Sequence, residues 1–155
     1  MRPIFVILMA ALAVTACAAQ AARDPVPAPA APAASSIEPT QANLDGTEWH
    51  FVEIGGQPVP AGVNATLRLR EGHASGRSGC NAYGARYHVA ADGTATFTQT
   101  LSTKMACLQP AGAMHVEQDV FNAFRHTAKV AIVNGELVML DASGKPQAKL
   151  QRLTP

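Results

Sequence analysis

The stretch of sequence that decides the fold is residues 129–140, KVAIVNGELVML. Two runs rich in aliphatic side chains flank the dipeptide Asn134-Gly135. Asn-Gly favours the two-residue turn of a β-hairpin, because both residues tolerate a positive φ. The stretch therefore predicts two antiparallel strands, at residues 129–133 and 136–140.

Short strands separated by turns continue on the N-terminal side of this hairpin. Residues 47–54 place Trp49 and Phe51 on one face, and residues 65–70 alternate leucines with arginines. Such alternation is typical of strands that bury one face and expose the other. Further strands are predicted at residues 73–76, 86–89, 94–98 and 148–153.

One segment, residues 111–126, breaks the strand pattern. Its apolar residues Met114, Val120, Phe121 and Phe124 recur at a spacing compatible with one amphipathic helix that faces the core. About eight short strands and one helix predict a mainly β domain, a small antiparallel meander barrel that is closed or nearly closed. The alternative is an open α+β sheet with the helix on one face.

The N-terminus predicts an exported protein. A basic second residue precedes the uncharged apolar residues 3–14, which are shorter than the roughly 20 residues of a membrane-spanning helix. Residues 14–17, VTAC, resemble the bacterial lipobox, which implies a signal peptide at residues 1–16 that is removed and a lipid attached to Cys17. The alternative is an ordinary signal peptide with a chance cysteine. Ala18 resembles the residue of lipoproteins sorted to the outer membrane, since those retained in the inner membrane typically carry Asp there.

Composition divides the rest of the chain in two. Residues 17–43 contain the lipidated cysteine and then mostly Ala and Pro, which cannot bury enough surface to offset the entropy of ordering. We expect this segment to be a semi-extended tether. Residues 44–155 have the length of one domain.

The cysteines predict a disulfide. An exported protein with three cysteines has one left over, and lipidation of Cys17 would leave Cys80 and Cys107 as an even pair in an oxidising compartment. A reactive thiol or a pair of metal ligands is the alternative, although the two cysteines lack CxxC spacing.

Two motifs identify a family. GCNAYG at residues 79–84 and LSTKMAC at residues 101–107 resemble the META (HslJ-like) domain, with further matches at residues 44–49, 134–137 and 141–146. The resemblance implies a small barrel of lipocalin-like topology with one helix. Members include many envelope lipoproteins, loosely linked to heat-shock induction, antibiotic tolerance, and motility or secretion.

The motif residues are expected to have structural roles, because the resemblance brings no catalytic residue with it. The two glycines would supply backbone freedom or close approach around Cys80. The asparagine would hydrogen-bond to nearby backbone in a turn. The positions concerned are Gly79, Asn81, Tyr83, Gly84, Ser102, Thr103 and Met105.

Signatures of catalysis, metal binding and nucleic-acid binding are weak. The five histidines are scattered, and no serine lies in a GxSxG motif. Glu117 and Asp119 would lie about 200° apart around a helix, which prevents them from acting as a carboxylate pair. A formal net charge of +1 shows no basic footprint for nucleic acid. We expect no enzyme activity, no metal and no cofactor.

The expected function is therefore that of a non-catalytic lipoprotein. It would be anchored in the outer membrane with its domain facing the periplasm, monomeric, and active in envelope stress tolerance by contacting an unknown envelope protein. Two alternatives remain: a barrel that binds a small ligand, since about eight strands can enclose one small molecule, and an inhibitor of an envelope-active enzyme.

Overall fold

A computed structural model describes residues 36–37 and 39–153. The predicted signal peptide, Cys17 and most of the predicted tether lie outside the described residues. The secondary structure comprises β1 (Ser36–Ile37), α1 (Gln41–Leu44), β2 (Thr47–Ile54), β3 (Gln57–Pro58), β4 (Thr66–Arg70), β5 (His73–Arg77), β6 (Ala82–Val89), β7 (Ala95–Ser102), α2 (Ala113–His126), β8 (Lys129–Val133), β9 (Glu136–Leu140) and β10 (Pro146–Arg152).

The ten strands in the described part of the chain belong to one antiparallel sheet. Its order is β1-β8-β9-β10-β2-β4-β5-β6-β7, and the short β3 pairs with β2. The last long strand, β10, thus pairs with the first long strand, β2. This pairing curls the sheet into a half-barrel, and the remaining opening lies between β7 and β8. We call this opening the seam.

Among residues 36–37 and 39–153, the two sides of the seam meet at one end only. The Ala95 N–H donates to the carbonyl oxygen of Ala128 at 2.9 Å, and the Val130 N–H donates to that of Gly93 at 2.9 Å. Towards its other end, β8 pairs with β1. The predicted mainly β fold with one main helix is confirmed, in the form of a curled half-barrel.

Helix α2 connects β7 to β8 and fills the concave side of the sheet. The Phe124 ring stacks on Phe97 with centroids 4.6 Å apart, and it also packs against Tyr83 at 5.3 Å and Phe51 at 6.3 Å. Aromatic pairs at such distances add to the free energy gained by burying the rings. The sequence prediction that Met114 is a core residue is wrong, because its side chain is 39% exposed.

The exposure of Met114 follows from helical geometry. The buried stripe of α2 includes Val116, Val120, Ala123 and Phe124. Met114 precedes Val116 by two positions, which places it about 200° away around the helix axis. None of the helices in the described ranges is long and apolar enough to cross a membrane.

The structured part of the chain extends further towards the N-terminus than the predicted domain start at Leu44. Pro39 is buried, and the side chains of Thr40 and Asn43 cap the short helix α1. The Gln41 side chain accepts a hydrogen bond from the Val89 N–H at 2.9 Å, which ties α1 to the end of β6. This contact is long-range, so local composition gave no sign of it.

Candidate functional site

The GCNAYG motif begins in a turn between β5 and β6. The Ser78 N–H donates to the Asn81 carbonyl oxygen at 2.9 Å and closes this turn. Gly79 has a φ of 93°, and a Cβ atom at this position would lie 2.4 Å from the Ala113 carbonyl oxygen. Only glycine therefore lets the turn pack against the start of α2 without strain.

Asn81 is buried and is the centre of a partly buried hydrogen-bond network. Its Oδ1 accepts from the Thr103 hydroxyl at 2.6 Å and from the Met105 N–H at 2.8 Å. Its Nδ2 donates to the Met105 carbonyl oxygen at 3.1 Å and to Glu117 Oε2 at 2.8 Å. The side-chain amide therefore uses both donors and both acceptor positions.

This network differs from the local turn that the sequence predicts for Asn81. The side chain bonds to Met105, 24 residues away, because β7 returns beside β6 and carries residues 103–105 back to the turn. The network thus joins three parts of the chain: the β5–β6 turn, the segment after β7, and α2.

Glu117 is the network residue that sequence reasoning missed. Its Oε2 accepts hydrogen bonds from the Asn81 main-chain N–H at 3.2 Å and lies 3.2 Å from the Ser78 hydroxyl. Asp119 faces elsewhere and lies 3.4 Å from His115. The sequence carries no local signal for this arrangement, since Asn81 and Glu117 are 36 residues apart.

The predicted disulfide is present and borders the network. Cys80 and Cys107 are bonded with an S–S distance of 1.99 Å and a Cα–Cα distance of 5.7 Å. The Cys80 Sγ also contacts the Met105 carbonyl oxygen at 3.5 Å. The disulfide therefore holds the C-terminal end of residues 103–107, and the hydrogen bonds to Asn81 hold its N-terminal end.

The remaining motif residues occupy the β6–β7 ladder. The Tyr83 hydroxyl donates to the Thr66 carbonyl oxygen at 2.8 Å, and burial raises the pKa of this phenol. Ser102 pairs with Tyr83 across the ladder. Gly84 differs from expectation: it lacks a positive φ, and a Cβ placed on it would have no neighbour within 4 Å.

A second tyrosine has a different environment. Tyr87 is buried, and its hydroxyl has no hydrogen-bond partner among the described residues. Burial, with a smaller contribution from the charge of Asp45, raises the pKa of Tyr87 to about 12.

The segment held by the network and the disulfide exposes large apolar side chains. Leu101 is 77% exposed, Met105 is 50% exposed and Leu108 is 91% exposed. We call residues 101–108 the apolar segment. Its main chain is fixed at Asn81 and Cys80, whereas these three side chains point to solvent.

The apolar segment begins beside a groove of about 480 Å³ between β7, which borders the seam, and α2. We call it the seam groove. Lys104 and Arg125 are its charged lining residues, and none of the carboxylates that the structure describes lines it. Its complete lining is Phe97, Thr98, Gln99, Thr100, Leu101, Ser102, Lys104, Phe121 and Arg125.

The described residues offer no centre for metal chemistry. Between residues 39 and 153 no group of three or more His, Cys, Asp or Glu side chains is placed to hold a metal ion. The concave face of the sheet, where a carrier would hold its ligand, is occupied by Phe124 and the rings packed against it.

Fold and motif together define a small half-barrel domain with one inserted helix and a disulfide beside a buried asparagine. The chain belongs to the META domain family, whose model matches residues 42–153. No curated protein matches the sequence significantly.

Two solved structures share the fold. An NMR structure of a protein from Burkholderia xenovorans is 26% identical, with a TM-score of 0.61 over 83% of this chain and 100% of the other. A second protein solved by NMR is 18% identical, with a TM-score of 0.58 over 73% of this chain and 94% of the other.

Proposed function

We propose that this META domain protein is a non-catalytic interaction module of the cell envelope. A lipid on Cys17 would hold it on the outer membrane, and residues 18–35 would give the domain reach into the periplasm. There the monomeric domain would bind an envelope protein and so contribute to tolerance of envelope stress. The lipobox-like residues 14–17 and the family resemblance support the location.

The observation that carries the proposal is the exposure of the apolar segment. Burying a leucine side chain contributes about 1.5–3 kcal/mol, so a complex with a partner that covered the exposed Leu101 and Leu108 would be stabilised by their burial. The Asn81 network and the disulfide already order the main chain of this segment. A partner would therefore face a smaller entropic cost than with a free loop.

The small-ligand carrier is less well supported. A carrier needs interior volume, and α2 inserts Phe124 against Phe97 and Phe51 on the concave side of the sheet. No observation favours the enzyme-inhibitor alternative.

The test is crosslinking in cells with the anchored protein. We compare the wild type with the double variant Leu101→Ser/Leu108→Ser, and use Leu153→Ser as the control, because Leu153 is also exposed (43%) but lies after β10. The proposal predicts one reproducible envelope protein that is captured by the wild type and the control and is lost in the double variant. Survival under envelope stress should fall in parallel.

Equal capture and equal survival for all three proteins would contradict the proposal. The anchor has its own test: Cys17→Ser should release the protein from the outer-membrane fraction, and continued fractionation with that membrane would show that Cys17 is not the anchor.

A further inference from the structure

The strand β7 presents an unpaired main-chain edge to the seam. Main-chain groups alternate in direction along an antiparallel strand. The Ala95 N–H points across the seam to Ala128, so the groups of Phe97 point the same way. Among the described residues, no main-chain group between residues 96 and 102 is hydrogen-bonded across the seam. Such an edge is a template for another strand.

The opposite side of the seam already carries an added strand. β1 pairs with β8 through Ser36–Val133 and Ile37–Ile132. The two-residue strand β1 therefore forms one end of the described sheet, and β7 forms the other, longer end. Residues 97–102 span up to about 20 Å along the strand, the length of a peptide of about six residues. A β-bulge interrupts this edge at Gln99, where φ is 51° and the register with β6 shifts, so the peptide would follow the bend of the strand there.

The charges of the seam groove select the chemistry of the partner. Lys104 and Arg125 both line it, and neither forms an ion pair with the residues that the structure describes. These cations attract carboxylates and repel the same edge of a second copy. A lysine beside an exposed edge thus opposes self-association and favours an acidic strand.

We propose that β7 binds an extended acidic peptide segment of the partner protein by strand addition. This inference rests on the interaction-module function proposed above and names the chemistry of its partner. The main-chain groups of β7 would bond to the peptide main chain. Lys104 and Arg125 would pair with glutamate or aspartate side chains on the face of the peptide that meets the groove, and the methylene groups of these side chains would contact Phe121.

The binding test uses the full chain as cells process it, purified in detergent, and four synthetic peptides. The probe is acetyl-Thr-Glu-Val-Glu-Val-Thr-amide. The others replace Glu by Gln, replace Glu by Lys, or keep the probe sequence with every internal main-chain nitrogen methylated. We expect the methylated and Lys peptides to bind at least roughly tenfold more weakly than the probe, because one lacks donors and the other reverses the charge.

Amide NMR shifts and charge variants locate the binding site. Shifts caused by the probe should centre on residues 97–104. The double variant Lys104→Gln/Arg125→Gln should bind the probe roughly 2- to 30-fold more weakly, as expected for the loss of two exposed ion pairs, and should bind the Gln peptide as the wild type does. Lys145→Gln, on the β9–β10 turn, is the matched control and should not change either affinity.

Three results would overturn the inference: no saturable binding of the probe up to about 1 mM, equal binding of the methylated peptide, or shifts centred on β8 or on the neighbouring copy in a dimer. The proposed function fails separately, through unchanged capture by the Leu101→Ser/Leu108→Ser variant. Loss of capture without probe binding would leave the interaction module standing and remove strand addition.

Discussion

Replacing Asn81 by aspartate is the sharpest test of the motif network. The change exchanges one side-chain nitrogen for oxygen and keeps the volume. Oδ1 can still accept from Thr103 and Met105. The second carboxyl oxygen takes the place of Nδ2, which lies 2.8 Å from Glu117 Oε2 and 3.1 Å from the Met105 carbonyl oxygen, so it faces two other oxygens. With both carboxyl groups ionised, two hydrogen bonds are lost and a buried carboxylate at residue 81 meets the half-buried carboxylate of Glu117.

The magnitude follows from these distances. Two charges 2.8 Å apart repel by roughly 6 kcal/mol at an effective dielectric constant of about 20. Protonating the new carboxyl group instead costs about 4 kcal/mol at pH 7, since aspartate ordinarily has a pKa near 4. Protonation of the new carboxyl group costs less than the repulsion between two charges, so protonation determines the loss of stability. With about 1 kcal/mol for the lost bond to Met105, Asn81→Asp should lower the free energy of unfolding by about 5 kcal/mol at pH 7.

The cost must depend on pH. The new carboxyl group keeps its proton in the folded variant above pH 4, where the unfolded chain releases it. Stability relative to the wild type therefore falls by about 1.4 kcal/mol for each pH unit as pH rises from about 4 to 7. Urea unfolding of both proteins, followed by circular dichroism at several pH values, measures this slope. A variant that is unfolded at pH 7 should fold on acidification.

The double variant Asn81→Asp/Glu117→Gln is the control. It places an amide opposite the new carboxylate, so the pair keeps a hydrogen bond with reversed polarity, whereas the main-chain N–H of residue 81 loses its acceptor. Most of the stability should return, to within about 2 kcal/mol of the wild type, and the pH slope should disappear. The account of the network is refuted if Asn81→Asp alone stays within about 1 kcal/mol of the wild type at pH 7, or if its pH slope equals that of the wild type.

Three further predictions concern stability. Reduction of Cys80–Cys107, which are 27 residues apart, should lower the free energy of unfolding by about 3.5 kcal/mol from loop entropy, and an unchanged urea midpoint with reductant would contradict this. Gly79→Ala should lower the free energy of unfolding by about 2–4 kcal/mol, because of backbone strain and the clash with α2. The control Gly46→Ala should lower it by about 1 kcal/mol, because φ is 74° there and a Cβ would have open space. Equal losses in urea unfolding would show that the close approach of Gly79 to α2 is unimportant. Tyr87→Phe should be neutral or stabilising by about 1 kcal/mol, because it removes a buried hydroxyl without a partner. Because the pKa of Tyr87 is raised, only the unfolded chain releases this proton between about pH 10 and about pH 12, so wild-type stability falls as pH rises through this window. Urea unfolding at both ends of the window should show that Tyr87→Phe lacks this contribution.

The local pattern of the sequence determined most of the strands. The hairpin at residues 129–140 has the predicted strand bounds, and residues 47–54 form β2 as predicted. Alternation and an Asn-Gly turn act over a few residues, so they can be interpreted without knowledge of the fold. Asn134 indeed has a φ of 53°. The cysteine count likewise predicted the disulfide before any geometry was known.

Sequence reasoning failed where a residue's partner lies far along the chain. β6 and β7 are longer than predicted because the motif residues Tyr83 and Gly84 pair with the end of β7. The role of Asn81 depends on Glu117 and Met105, which only the packing of α2 and β7 brings to it. The local sequence around Asn81, Met105 or Glu117 does not indicate that these residues are in contact.

The seam was decided by the tertiary structure alone. The sequence predicts strands with buried and exposed faces, but each strand carries hydrogen-bonding groups on both edges. Which edge stays unpaired depends on β10 pairing with β2 and on α2 separating β7 from β8 along the chain. Local periodicity therefore determined the elements of this protein, and long-range pairing determined the edge that it leaves open.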